Sequence, residues 1–156
     1  MEELSLVLWR ERELLELLAY RLGIERLVVD IGNTRWVDRA SRDVEDVLTT
    51  LRSIEILRSI AAGEAARTLG LDSDPSLARL AMCAEEPWRT ILLDHRDAFL
   101  ALTRQIAEIS EGDGLAMPAY GAGHQTFLAV HGTAEGVSDS GTAVTQPALH
   151  LVDPGL

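Results

Sequence analysis

Residues 8–31 read LWRERELLELLAYRLGIERLVVDI, and their spacing decides the fold. The first eleven hold five leucines, one tryptophan and five charges, with no glycine, proline or β-branched residue. Leucine, arginine and glutamate lose little on entering a helix. Leu8, Leu15, Leu22 and Val29 recur every seven residues, with Leu17, Ile24 and Ile31 forming a flanking row. A sustained seven-residue repeat lays an apolar seam along a helix and favours a neighbour at a shallow angle. The seam is wider than a strict two-in-seven stripe, so a multi-helix bundle suits it better than an isolated two-stranded coil. The spacing predicts a first helix over about residues 5–31.

Working outward, GNT at 32–34 breaks this pattern. Gly32 suits a C-terminal cap, and Asn33 or Thr34 can accept the first free amides of a second helix. That helix is predicted over about 35–69, where Ala40, Val44, Val47, Leu51, Ile54, Leu57, Ala61 and Ala65 keep helical spacing. Two long helices joined by so short a break fold back as an antiparallel hairpin. GLDSDPS at 70–76 supplies the next stop, with Gly70 for a left-handed exit, Ser73 or Asp74 as cap and Pro75 at the first helical position. A short third helix follows over about 75–83, carrying Leu77, Leu80 and Ala81. A fourth, over about 87–110, shows Trp88, Leu92, His95, Phe99, Leu102, Ile106 and Ile109 in strict four-three alternation. This row is predicted to close the core.

Beyond Ser110 the composition changes. Eight of the twelve glycines lie there, and no arginine follows Arg104. Residues 117–130, MPAYGAGHQTFLAV, have weak helical spacing interrupted by Pro118, Gly121 and Gly123. Each glycine inside a helix costs about 1 kcal/mol relative to alanine. The expectation is an all-α antiparallel bundle over 1–110, a Gly/Pro-interrupted segment over 111–131 with a weak helix at about 119–130, and a disordered tail over 132–156.

Composition limits the function. The chain has 156 residues, 47% apolar and 25% charged, with a net charge of −11. All fourteen of its basic residues are arginine. Such acidity disfavours nucleic acid and anionic membranes as partners. Cys83 is the single cysteine, so no internal disulfide forms, as expected in a reducing compartment. No run approaches the roughly 18 apolar residues of a membrane span, and the charged N-terminus is unlike a signal peptide. Cytoplasmic residence without membrane insertion is the expectation.

No catalytic, metal or cofactor constellation emerges. His95, His124, His131 and His150 lack the paired spacing of a zinc site, and His95 reads as a core histidine on the apolar seam. Glu85–Glu86 and the acids at 43–46 suit helix starts, where negative charge complements the macrodipole. No serine has nucleophile-elbow surroundings, and YGAG at 120–123 lacks the strand and lysine of a phosphate loop. Trp9, Trp36 and Trp88 stand near predicted helix starts and read as plugs at the bundle ends. The bland alternative is a non-enzymatic helical adaptor that self-associates through the Leu8–Val29 seam.

Three stretches, LWRERELLELLAYRL at 8–22, GNTRWVDRASRDVEDVL at 32–48 and EPWRTILLDHRDAFLALTRQIAEIS at 86–110, resemble the actinobacterial branch of the FlgN family of flagellar export chaperones. GTAV at 141–144 and LVD at 151–153 resemble the tails of such members. The resemblance implies a cytoplasmic all-helical chaperone, without enzymatic activity or cofactor. Such a protein binds hook-associated (hook–filament junction) proteins and delivers them to the flagellar type III export apparatus. It also implies cargo contact by the C-terminal helical region, here Leu115, Met117, Tyr120, Phe127, Leu128 and Val130. A homodimer is compatible with the leucine-rich seam. The chain departs from the family pattern after Ser110, where glycines and Pro118 replace a charged, uninterrupted helix. In physical terms the implied task is holding. A face that buries the apolar stripe of a cargo helix, over the roughly 1,200–2,000 Å² usual for a specific complex, prevents premature assembly.

Overall fold

The computed structural model describes residues 1–72 and 75–111, with no strand among them. Four helices follow in order: α1 (Glu2–Asp30), α2 (Thr34–Thr68), α3 (Leu77–Cys83) and α4 (Trp88–Glu111). The first begins three residues earlier than the spacing indicates, with Glu2 and Glu3 in its first turn, where acids favour the positive end of the helix dipole.

Both long helices stop at a left-handed glycine. Gly32 has φ +66° and Gly70 φ +67°. Around the first, the Asn33 amide donates to the Val28 carbonyl at 3.1 Å and the Gly32 amide to Val29 at 2.9 Å. Around the second, Leu71 donates to Ala66 at 2.9 Å and Gly70 to Arg67 at 3.2 Å. These paired bonds satisfy the last helical carbonyls in the Schellman arrangement, which favours glycine at the turn. The starts differ from expectation. Asn33 precedes α2, but its side chain makes no capping bond. The third helix is capped by Ser76, whose hydroxyl accepts from the Arg79 amide at 3.2 Å. It therefore opens at Leu77, after Pro75, whereas Ser73 and Asp74 lie outside the described residues. The Glu86 carboxylate accepts from the Thr90 amide and hydroxyl at the head of α4, at 3.3 and 2.9 Å.

The hairpin is antiparallel. Along α1, Glu11, Arg21 and Glu25 meet Arg58, Asp43 and Ser41 of α2, so one set of numbers falls as the other rises. Its inward row is Leu4, Leu8, Glu11, Leu15, Leu18, Leu22 and Glu25, alternating by four and three. The facing row of α2 is rich in small residues, with Ala61, Ala62, Ala65 and Ala66 buried against the start of α1.

Three expectations need correction. Val29 is 47% exposed although Leu8, Leu15 and Leu22 are buried. Leu57 is 50% exposed, and Arg58 takes its place in the core row. The flanking residues Leu17 and Ile31 face outward.

The fourth helix agrees with its spacing: Leu92, His95, Phe99 and Ile106 are buried, and Trp88, Leu102 and Ile109 pack at the core's edge. His95 lies beside Trp9, 4.9 Å between ring centres. Ile106 and Ser110, further along, are still buried. Running toward Met1, α4 would pass the start of α1 before reaching them, so it runs in the same direction as α1. At equal rise per residue it ends level with about residue 25 of α1. The last turn of α1 and the first of α2 project past it, which is why Val29, Ile31 and Trp36 remain exposed.

Candidate functional site

Two features stand out among the described residues, a groove between α1 and α4 and an apolar stripe on the outer face of α1. The groove, about 280 Å³, is lined by Ser5, Trp9 and Arg12 from α1 and Ile91, Asp94 and His95 from α4. His95 is sandwiched between the edge of Trp9 and Phe99, whose ring centre is 6.0 Å away. Among the described residues neither imidazole nitrogen has a hydrogen-bond partner. Burial lowers the pKa of this histidine from 6.5, Arg12 lowers it further, and Asp94 opposes them. The ring is therefore held neutral, as a core histidine on the seam should be, but without the hydrogen bonds that such a position ordinarily supplies.

Trp9 lies across this ring rather than at the bundle end, and it stays 51% exposed with the Arg12 guanidinium 5.3 Å from its centre. Trp36 is also half exposed, beneath Arg35. Neither plugs the core. Trp88 is partly buried against it.

The outer face of α1 is the larger feature. Leu6, Leu17, Tyr20, Leu27 and Ile31 are 70%, 38%, 60%, 59% and 72% exposed. At 100° per residue they fall on one stripe, half a turn from the buried row. The single helix thus presents two opposed apolar faces, and the fold uses one of them. The stripe's first half is interrupted by Arg10, paired to Glu13 at 3.0 Å, and flanked by Arg12, paired to Glu16 at 3.1 Å. A second, smaller patch lies on α2, where Ile56, Leu57 and Ile60 are at least half exposed.

The residues that the resemblance points to for cargo contact, Leu115, Met117, Tyr120, Phe127, Leu128 and Val130, lie outside the described residues, as does the expected helix at about 119–130. The surface required by the adaptor alternative is occupied: Leu8, Leu15 and Leu22 are in the chain's own core. Among the described residues no three His, Cys, Asp or Glu side chains gather as a metal site, and no helix is long and apolar enough to cross a membrane.

In the sequence the row Leu17, Ile24, Ile31 reads as an extension of the core seam. The signal that separates it is a second four-three alternation, out of phase with the first. The buried polar links leave a fainter trace. Glu11 is fully buried with Arg58 Nε 3.2 Å from its carboxylate, and Glu25 accepts from the Ser41 hydroxyl. An acid at each of two positions of the leucine row was the visible trace of these.

No known family model, curated protein or solved structure matches the chain.

Proposed function

We propose that this protein is a non-enzymatic flagellar export chaperone that holds amphipathic helices of hook-associated proteins in the cytoplasm for delivery to the type III export apparatus. The observation that carries the reading is the outward stripe of α1. It is an apolar face of helical length on a helix whose opposite face is already satisfied. A face of this shape matches the stripe of another amphipathic helix, laid along it at i, i+3, i+4 spacing. Exposed apolar surface on this scale marks an interaction site more often than an accident of composition. The three stretches that resemble the export chaperones fall on α1, on the first half of α2 and on α4, the elements that build this face and its support.

The holding mechanism follows from the hydrophobic effect. Burying the cargo's stripe removes the surface through which it self-associates, and the absence of covalent chemistry leaves the complex reversible. The test is co-expression with candidate hook-associated proteins and co-purification, repeated after deletion of residues 112–156. Capture of a hook-associated protein by the full chain is the expected result. Failure to retain any of them at micromolar concentration refutes the reading. Loss of capture in the deletion variant, with its melting cooperative, assigns the grip to the C-terminal region that the resemblance implies.

A further inference from the structure

From Leu17 onward the outer face of α1 runs Leu17, Tyr20, Ile24, Leu27, Ile31, alternating by three and four. Continued backward, the same alternation passes through Glu13 and Arg10 to Leu6. This is coiled-coil spacing over the whole helix, with one charged step. Arg10 and Glu13 are paired to each other and remain 58% and 63% exposed.

We propose that this stripe seats one foreign amphipathic helix, which places a basic residue opposite Glu13 and an acidic residue opposite Arg10. The identity of that partner as flagellar cargo rests on the chaperone reading; the surface and its charge preference do not.

The charged step selects the occupant. A second copy laid parallel sets Arg10 against Arg10 and Glu13 against Glu13 within the seam, and like charges so opposed repel. Laid antiparallel with the stripes fully overlapped, it sets Arg10 against Leu27 and Glu13 against Ile24. Each charge then faces an aliphatic side chain of the other copy, with no opposite charge across the seam, which is less favourable than an interhelical ion pair. The chain's own residues 112–156 are no better suited. They carry four carboxylates and neither arginine nor lysine, so they have no permanent cation to place opposite Glu13. A foreign helix is free to supply both partners. Glu2, Glu3 and Glu16 outnumber Arg12 around the first half of the stripe, so the basic residues of the partner belong at that end.

The full-length protein is titrated into two fluorescent 28-residue helical peptides that share a leucine–isoleucine stripe. One carries lysine and the other glutamate at the flanking positions and at the position facing Glu13. Fluorescence anisotropy should show the lysine peptide bound about tenfold or more tightly at low salt, with a smaller advantage at high salt. Glu13→Arg should reverse the preference. Tyr20→Ser combined with Leu27→Ser should abolish binding of the lysine peptide while leaving thermal melting unchanged, since both side chains face outward.

Equal affinity for the two peptides overturns the proposal, as does unimpaired binding by the Tyr20→Ser, Leu27→Ser variant. A dimer in sedimentation equilibrium that this variant dissolves makes a second copy the occupant and also overturns it. So does a tenfold gain in peptide affinity on Phe127→Ser with Leu128→Ser, which makes the chain's own segment the occupant. Hook-associated protein retained at full strength by the Tyr20→Ser, Leu27→Ser variant overturns this site and leaves the chaperone reading intact. Peptide binding as expected, with no hook-associated protein captured, supports the site and removes the chaperone reading.

Discussion

Replacing Arg58 with methionine tests the least predictable feature of the core. The Glu11 side chain has no exposure and that of Arg58 5%, with the guanidinium Nε 3.2 Å from the carboxylate. Glu11 stands in the inward row of α1 between Leu8 and Leu15, both fully or nearly fully buried. Methionine conserves the aliphatic stem and removes the guanidinium paired with this buried carboxylate. Stripping one member from a buried pair typically costs about 3–5 kcal/mol, because the remaining charge stays desolvated. For a chain of this size each kcal/mol moves Tm by about 2–4 °C, so the variant should melt roughly 10 °C lower. Arg58 also lies 3.7 Å from Glu55, which is 28% exposed and recovers water when the guanidinium is lost, so that contact adds little. Adding Glu11→Leu should restore stability to wild type or raise it by about 1–4 kcal/mol, since two well-packed apolar groups often replace a buried pair without loss. Urea titrations followed by circular dichroism at 222 nm compare both variants with the wild type. If Arg58→Met alone costs less than about 1 kcal/mol, Glu11 reaches water and the buried-pair account fails.

Three further outcomes follow from the same packing. Phe99→Ala empties the largest fully buried side-chain site of α4 and should cost about 3–5 kcal/mol by urea titration. A cost below about 1 kcal/mol would mean that α4 is not packed as described. Gly70 holds φ +67° with open space where a Cβ would stand. Gly70→Ala should therefore cost about 1–2 kcal/mol through backbone strain alone, and Gly70→Asn less, since asparagine tolerates this region. His95 has its pKa lowered in the folded chain by burial and then by Arg12. The unfolded chain thus binds a proton first as pH falls, so this histidine's contribution to stability is intact above about pH 6.5 and is lost progressively below it. His95→Leu should flatten the fall in Tm between about pH 6.5 and 5, where most carboxylates are still ionised. An unchanged slope would refute the neutral, unpartnered imidazole.

How much of this was legible depended on whether a helix had one apolar face or two. The row of α4 is apolar at every core position but His95, and its polar residues keep to the other side, so counting by four and three gave the buried set directly. On α2 the count from Ala40 reaches residue 58 at the fifth step, but hydrophobicity favoured the adjacent Leu57. Geometry won, and Arg58 was buried because Glu11 waits opposite. On α1, Leu8, Leu15 and Leu22 were placed correctly and Val29 was not, because the cover given by α4 ends near residue 25. The outward stripe was only partly visible. With apolar residues on opposite sides, a helix has no single hydrophobic direction, and the pattern cannot say which side the neighbours will take. Residues 115–130 were singled out through the resemblance instead, and they lie outside the described residues.

A helix with two usable faces raises a problem of specification, and the buried polar links answer it. Turning α1 by half a turn would present Leu6, Leu17, Tyr20, Ile24 and Leu27 to α2 and α4, a set as apolar as the one now inside. It would also carry Glu11 away from Arg58 and Glu25 away from Ser41, and would force Arg10 and Glu13 into the core. Arg58 would then lose its buried pairing with Glu11, at a cost of several kcal/mol. The polar residues thus mark the inner face, and the stripe is kept outside. Stability and specificity separate on this account. The Glu11→Leu, Arg58→Met double variant should match or exceed the wild type in urea yet give doubled or broadened amide resonances along α1, as both faces compete for the core. A single sharp set of resonances in that variant would show that side-chain shape alone orients the helix.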